Sequence, residues 1–271
     1  MARWATLIRQ RREEKPVLLV DAGDFCSPLR TRYQDIKDRY FFKGMKRLGY
    51  DAVGIGENEI KFGRKRLLET MKEADLTLVS SNIIDKRGSG HLVKPYIVAT
   101  AGGRRLLFWR TGGITVGILS VVLPTYIHAV DEEIHEYYEV RDTRMTVLET
   151  ISTLKKRGCD LIIALSHLGW ENSLELAREM PGLDIVINGH RTHNGMHYEY
   201  IGETIVIDTG PNRSSFAEID VTIDGGVPRY TPKDMGKVLL SLDGDPEFVA
   251  FEKSYEEELE ASKMSTAEED R

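Results

Sequence analysis

Three residues that can bind a metal ion each follow a short apolar run. Asp24 follows VLLVDAG, His167 follows LIIALS, and His190 follows LDIVING. Short apolar runs predict buried strands, and ligands of open α/β folds bind at the carboxyl ends of the strands. Carboxylate oxygen and imidazole nitrogen are common ligands of divalent metals. A lone Asp or His after a strand is more often a cap or turn residue, so it is the recurrence that indicates a shared metal site.

The elements that must position these residues alternate along the chain. Helical spacing is found at 4–14, 33–48, 64–74, 143–157 and 173–180, and buried strands are predicted at 17–20, 51–56, 76–82, 161–166 and 184–188. This alternation predicts an α/β fold with largely parallel pairing. Residues 93–122 have the pattern of antiparallel strands instead. The three candidate ligands then lie at one rim of the fold.

Charge, hydropathy and cysteine content limit the partners and the chemistry that the chain can have. The net charge of -6 leaves no basic surface for a nucleic acid polymer. No apolar run approaches the roughly 20 residues of a membrane span, and the first residues lack the apolar core of a signal peptide. The two cysteines show no metal-binding spacing. Cys159 is expected to be a small buried hydrophobe, and Cys26, close to Asp24, is either the same or a reactive thiol.

Seven segments occur in the order seen in a known family. They are VLLVDAGDF, GYDAVGIGENEIKFG, LVSSNI, ITVGILSVV, DLIIALSHLG, PGLDIVINGHRTH and GETIVIDTG, between about Ala5 and Asp224. The chain thus resembles the calcineurin-like metallophosphoesterases, in the 5'-nucleotidase / UDP-sugar hydrolase branch. The resemblance implies an α/β sandwich of two mixed β-sheets flanked by helices. It assigns residues 1–231 to this domain and residues 232–271 to an acidic C-terminal linker, helix and tail.

The resemblance also implies roles for the strand-end residues. The family holds two divalent metals that share a bridging carboxylate, which corresponds to Asp24; Asp21 is the alternative, since it ends the strand and also suits a turn. His167 and His190 correspond to ligands of the second metal. The motif that contains His190 is Gly-His-x-His in the family. In this chain one additional residue separates the two histidines, so Thr192 stands at the position of the second histidine. His193 reaches the metals only if a bulge re-aims it.

The GENE segment departs most from the family pattern, which is Gly-Asn-His-Glu. Glu57 replaces an asparagine ligand and remains able to coordinate a hard cation. Asn58 replaces the histidine that contacts the phosphate, and its amide can donate a hydrogen bond but no proton. We assign Asn58 as the catalytic position that remains, and we expect Glu59 to support the loop.

Two functional hypotheses follow. One is a metal-dependent phosphoester hydrolase of the 5'-nucleotidase type, which uses Mn, Zn, Mg or Fe on a small phosphate ester or nucleotide. The other is a degenerate relative that binds metal or ligand with little turnover. The family's opening strand, which ends in Asp-x-His, has no counterpart here, so we expect an open apolar slot beside its neighbours. Relatives are usually exported, and the chain itself leaves its location open. A dinucleotide-binding domain is disfavoured, since no G-x-G-x-x-G joins a strand to a helix.

Overall fold

The computed structural model describes residues 1–27, 31–88, 90–102, 104–106, 109–111, 113–128, 134–190, 193–210, 216–224 and 227–269. The helices of this part of the chain are α1 (Ala2–Glu14), α2 (Arg32–Leu48), α3 (Glu57–Lys61), α4 (Arg64–Ala74), α5 (Pro124–His128), α6 (Ile134–Tyr137), α7 (Thr143–Lys156), α8 (Trp170–Glu179), α9 (Gly236–Ser241) and α10 (Pro246–Glu269).

The strands are short in the first third of the chain and longer after it. They are β1 (Val20–Asp21), β2 (Ala52–Gly54), β3 (Leu78–Val79), β4 (Ile83–Asp85), β5 (Gly90–His91), β6 (Tyr96–Ala101), β7 (Arg104–Leu106), β8 (Trp109–Thr111), β9 (Ile114–Val122), β10 (Tyr138–Val140), β11 (Leu161–His167), β12 (Ile185–Asn188), β13 (His197–Ile201), β14 (Thr204–Asp208), β15 (Ala217–Asp224) and β16 (Val227–Asp234).

A six-stranded mixed sheet forms one layer, in the order β13-β14-β12-β11-β9-β6. Its four inner strands are parallel, and β13 and β6 pair antiparallel at the two edges. β11 lies near the middle, where all seven of its residues are buried. Ile163 and Leu165 face one core cluster and Ile162 and Ala164 face another, because alternate side chains of a strand point to opposite faces. Covered faces explain why this segment is continuously apolar.

The second layer is divided among smaller sheets. β1, β2 and β3 form a parallel sheet, and β15 and β16 form a separate antiparallel hairpin. β10, β4 and β5 form an antiparallel sheet, and β7 pairs with β8. Ala22 and Val79 of this layer pack with Ile118 and Leu165 of the large sheet. The predicted α/β architecture of mixed sheets flanked by helices is therefore confirmed, with the second layer split into separate pieces.

Local sequence explains the helices that cover these layers. The Thr31 side chain caps α2 by accepting a bond from Gln34 N at 3.3 Å, and Gly49 ends it with φ 74°. Asp142 caps α7 in the same way, through Met145 N at 2.8 Å. Such caps satisfy N–H groups that a helix leaves unpaired at its first turn. Among the described residues, no helix has the length and apolarity needed to cross a membrane.

Several predicted boundaries differ from the observed ones. The run at 17–20 forms a strand only at Val20–Asp21, and α8 begins at Trp170 rather than at Ser173. β16 crosses the predicted boundary at residue 232, and α10 packs its Phe248 and Phe251 against α1. The division of the chain into a domain and a C-terminal linker, helix and tail stays a prediction.

Candidate metal centre

Asp24 is held in a tight turn after β1. Gly23 has φ 96° and Asp24 has φ 63°, a left-handed conformation that Asp adopts more readily than most side chains do. A Cβ atom on Gly23 would lie 2.6 Å from Gly56 N, so only glycine permits this approach of the two loops. The carboxylate of Asp24 accepts a hydrogen bond from Asn58 N at 2.9 Å. The turn thus aims the Asp24 carboxylate at the start of α3.

Glu59 joins the same two loops through hydrogen bonds. Its side chain is fully buried and accepts bonds from the backbone N–H groups of Asp24 (2.7 Å), Gly56 (2.8 Å) and Cys26 (2.8 Å). Burial and the charge of Asp24 outweigh these three donors and raise the pKa of Glu59 to about 7. The expected loop-supporting role of Glu59 agrees with these contacts.

His167 ends β11 and is 1% exposed. Its Nδ1 donates to the Ala22 carbonyl oxygen at 3.0 Å, so Nε2 faces the carboxylates. Nε2 lies 2.9 Å from Glu57 Oε2 and 3.4 Å from Asp24 Oδ2. A backbone carbonyl that holds one ring nitrogen while the other faces acidic groups is the usual arrangement of a metal-binding histidine.

His190 follows β12 and completes the group. Its Nδ1 lies 3.1 Å from Glu57 Oε1, and its ring stacks on Tyr126 with centroids 3.9 Å apart. The Tyr126 hydroxyl donates to the Leu168 carbonyl oxygen at 3.1 Å. Tyr126 therefore ties the position of His190 to the segment that follows His167. Nothing in the sequence near Tyr126 indicated this role, because the contact joins residues far apart in the chain.

The four side chains form one compact donor set. Ligand atoms of Asp24, Glu57, His167 and His190 all lie within 4.8 Å of one another. Two ligands of one ion at about 2.0–2.2 Å from it cannot be much farther apart than twice that distance, so the spacing fits a single divalent cation. Two carboxylates with two imidazoles suit a borderline or hard metal such as zinc or manganese. The predicted convergence of these four residues is what the structure shows.

In the metal-free site the imidazoles and carboxylates strongly shift each other's pKa values. Burial alone would lower the pKa of His167, but hydrogen bonds and charges from Asp24 and Glu57 override burial and raise the pKa to about 10. Burial would raise the pKa of Glu57, but its bond to His167 and the nearby imidazoles lower it to about 2. A proton on His167 thus balances the carboxylates where a cation would otherwise do so.

His193 lies outside this donor set. Its backbone N–H and its Nδ1 both contact Asp208 Oδ2, at 3.0 and 3.2 Å, and its ring packs edge-on against Trp170. Asp208 is fully buried at the end of β14. The strand-end rule applied to ETIVIDT would have found Asp208. A role for His193 as a ligand stays a prediction, and Thr192 falls outside the described residues.

The remaining candidates also have defined places. The Asn58 side-chain oxygen accepts a bond from Lys61 Nζ at 3.3 Å, beside the metal centre. Asp21 accepts a bond from Gly23 N at 2.8 Å. This contact corresponds to the turn role that was the other interpretation of Asp21. Cys26 is completely buried, and burial raises the pKa of its thiol far above the usual range, so the hypothesis of a reactive thiol is wrong. Cys159 is partly buried rather than fully enclosed.

Sequence comparison finds relatives among nucleotide-cleaving enzymes. The chain is 30% identical over 268 residues to the trifunctional nucleotide phosphoesterase YfkN of Bacillus subtilis, covering 90% of this chain and 17% of that protein. It is 32% identical over 203 residues to a snake venom 5'-nucleotidase of Gloydius brevicauda, covering 70% of this chain and 31% of the other. For a 5'-nucleotidase of Vibrio cholerae the identity is 30%, and 70% and 36% are covered. The chain spans about a third or less of these relatives. No protein-family model matches it.

Solved structures share the fold. A calcineurin-like phosphoesterase structure of YfkN from Bacillus subtilis superposes with a TM-score of 0.74 at 23% identity, covering 96% of this chain and 89% of that one. The sulfate thiohydrolase SoxB of Thermus thermophilus gives a TM-score of 0.78 at 17% identity, with 94% and 46% covered. At these identities the likeness concerns the fold alone.

Proposed function

Because the chain is homologous over most of its length to the N-terminal domain of calcineurin-like phosphoesterases of the 5'-nucleotidase family, we propose that it is a metal-dependent phosphoester hydrolase. Its substrate would be a small phosphate ester, such as a nucleotide. The observation that carries the proposal is the convergence of Asp24, Glu57, His167 and His190 within 4.8 Å. The relatives hydrolyse nucleotide phosphates by name, and most of their length lies outside the matched region.

The side chains have distinct parts in this proposal. A divalent ion held by the four residues would polarise a phosphoryl oxygen and lower the pKa of an attacking water. Asp24 and Glu57 supply the negative charge that retains the ion. The Ala22 carbonyl keeps Nε2 of His167 aimed at the carboxylates, and Tyr126 keeps the His190 ring in place. Asn58, beside Asp24, offers a neutral amide donor to a phosphoryl oxygen.

The second candidate is a domain that binds metal or ligand with little turnover. It is favoured by Asn58, because an amide cannot donate a proton to a leaving group. Glu57 adds a carboxylate within 2.9 Å of His167 Nε2, which strengthens cation binding but repels a phosphate dianion. The two candidates therefore differ in rate and share the same metal centre.

Hydrolysis of p-nitrophenyl phosphate and of AMP in the presence of Mn²⁺ tests the proposal. We expect weak, chelator-sensitive release from p-nitrophenyl phosphate and slower release from AMP, whose leaving group needs a proton. His167→Gln should abolish both reactions, and His197→Gln, outside the donor set, should leave them unchanged. Tight Mn²⁺ binding without hydrolysis of any phosphate ester would favour the second candidate. Absence of Mn²⁺ binding would refute both.

Replacing the GENE pair separates the two candidates further. Glu57→Asn with Asn58→His removes the extra carboxylate and adds an imidazole that can donate a proton. Because general acid catalysis typically contributes about 10²–10⁴-fold, we expect kcat/KM on AMP to rise at least roughly tenfold. Glu57→Asn alone is the matched control for the charge change. If the double variant is no faster than the unchanged protein, the missing imidazole does not limit turnover.

A further inference from the structure

Asp208 is a buried carboxylate to which the proposed function gives no part. It ends β14, a strand whose residues are all buried, and its own side chain is fully enclosed. A buried carboxylate is costly unless hydrogen bonds satisfy its oxygens. Asp208 accepts such bonds from Asn188, His193 and Gly210. The places of these donors indicate what the carboxylate holds together.

Two of the donors lie on either side of His190. Asn188 ends β12, and its Nδ2 donates to Asp208 Oδ2 at 3.3 Å. His193 contacts the same oxygen through its backbone N at 3.0 Å and through its Nδ1 at 3.2 Å. An ionised carboxylate only accepts hydrogen bonds, so Nδ1 of His193 is the protonated ring nitrogen. Asp208 thus connects the residues that precede and follow His190.

The Asn188 side chain extends these contacts to the segment that ends in His167. Asn188 Oδ1 accepts a bond from Ser173 Oγ at 2.9 Å, and Ser173 Oγ lies 2.8 Å from Ser166 Oγ. All three side chains are buried, and Ser166 directly precedes His167 in β11. A continuous buried network of polar side chains therefore joins Asp208 to the strand ends that carry both imidazole ligands.

We propose that Asp208 is a positioning residue of the metal centre, which fixes the loop that carries His190 through Asn188 and His193. This proposal rests on the metal centre of the proposed function, because His190 supplies one of its four candidate ligands. A ligand that is already held in place loses less freedom when a cation binds, so the cation binds more tightly. Side chains that orient metal ligands typically contribute about 10–100-fold to metal affinity. Because Asp208 acts through the neighbours of His190, we expect a contribution of roughly tenfold.

Calorimetric titration of the whole metal-free chain with Mn²⁺ tests the proposal without any substrate. Asp208→Asn keeps the size of the side chain but sets an amide NH2 group against a hydrogen-bond donor. Mn²⁺ should bind roughly tenfold more weakly to this variant. The visible absorption spectrum of bound Co²⁺ should also change, because the ligands are arranged differently around the ion.

The matched control is Asp184→Asn, which makes the same replacement just before β12 begins. Asp184 lies at the opposite end of this strand from Asn188 and accepts a bond from Ile162 N at 2.7 Å. Its replacement should change neither the Mn²⁺ affinity nor the Co²⁺ spectrum, even where it lowers the free energy of unfolding in urea.

Two substitutions of His193 give an independent test, which also serves if Asp208→Asn does not fold. His193→Asn keeps an amide donor at the place of Nδ1 and removes Nε2, so it should bind Mn²⁺ as the unchanged protein does. His193→Ala removes the donor and should weaken binding by at least roughly threefold.

Three results would overturn this proposal and leave the proposed function standing. The first is equal Mn²⁺ affinity in Asp208→Asn and the unchanged protein, and the second is equal weakening by Asp184→Asn. The third is equal weakening by His193→Asn and His193→Ala, which would make His193 itself a metal ligand. No Mn²⁺ binding by the unchanged protein would overturn the positioning role and the proposed function together.

Discussion

Binding of a divalent cation at the metal centre should release at least one proton, because His167 holds a proton in the metal-free protein. Its pKa is raised to about 10 by the carboxylates of Asp24 and Glu57, despite burial, which opposes the shift. A metal ligand must be a neutral imidazole, so the cation has to displace that proton. Glu57, with a pKa of about 2, stays ionised throughout the neutral range and releases nothing.

The magnitude follows from this competition. While the pH stays below the pKa of His167, each pH unit multiplies the neutral fraction of its imidazole by about ten. Between pH 6 and pH 8, the association constant for Mn²⁺ should therefore rise roughly 100-fold. Calorimetric titrations in two buffers of different ionisation enthalpy would give both the constant and the protons released, with at least one proton expected at pH 7.

The variant His197→Gln is the matched control for this titration. His197→Gln removes an exposed imidazole outside the donor set and should change neither the slope nor the proton count. An association constant that is independent of pH from 6 to 8, with no proton released, would refute the assignment of His167 as a protonated ligand in the metal-free state.

The same shift has the opposite effect on the stability of the metal-free protein. His167 titrates near 6.5 in its unperturbed state and near 10 when folded, so the folded state binds its proton more tightly. The stability that this proton contributes is fully present below pH 6.5 and is lost as the pH rises towards 10. Urea midpoints of the metal-free protein should therefore fall between pH 7 and pH 9.5, and added Mn²⁺ should reduce the change.

Three further predictions concern the same centre. Elemental analysis after dialysis against Mn²⁺ should give near one equivalent per chain, since one donor set is present among the described residues; two tightly held ions would contradict this. Glu59→Gln should lower the free energy of unfolding in urea by about 1–3 kcal/mol. The reason is that the amide NH2 group of Gln would replace an oxygen that accepts backbone N–H bonds. The exposed Glu69→Gln is its control, and equal losses would refute the loop-supporting role. Tyr126→Ala should weaken Mn²⁺ binding by roughly twofold to tenfold through loss of ring stacking, whereas Tyr126→Phe should not; equal effects would assign the role to the hydroxyl.

Local patterns in the sequence were enough to locate most of the metal centre. Asp24, His167 and His190 each follow an apolar run. The runs before the two histidines form the largely buried strands β11 and β12, and the run before Asp24 forms only the short, partly buried strand β1. The resemblance to the family added Glu57. Helix boundaries such as Arg64–Ala74 also followed from spacing alone, because caps and apolar periodicity act within a few residues.

Only the tertiary structure decided which of the candidates meet. His193 is three residues from His190, yet it pairs with Asp208, which is fifteen residues further along and reaches it only through strand pairing. The stacking of Tyr126 on His190 likewise depends on a contact between distant segments. Patterns within a segment determine which face is apolar and where a strand ends. The packing of layers determines which strand ends and edges share a space, because that packing depends on all the segments together.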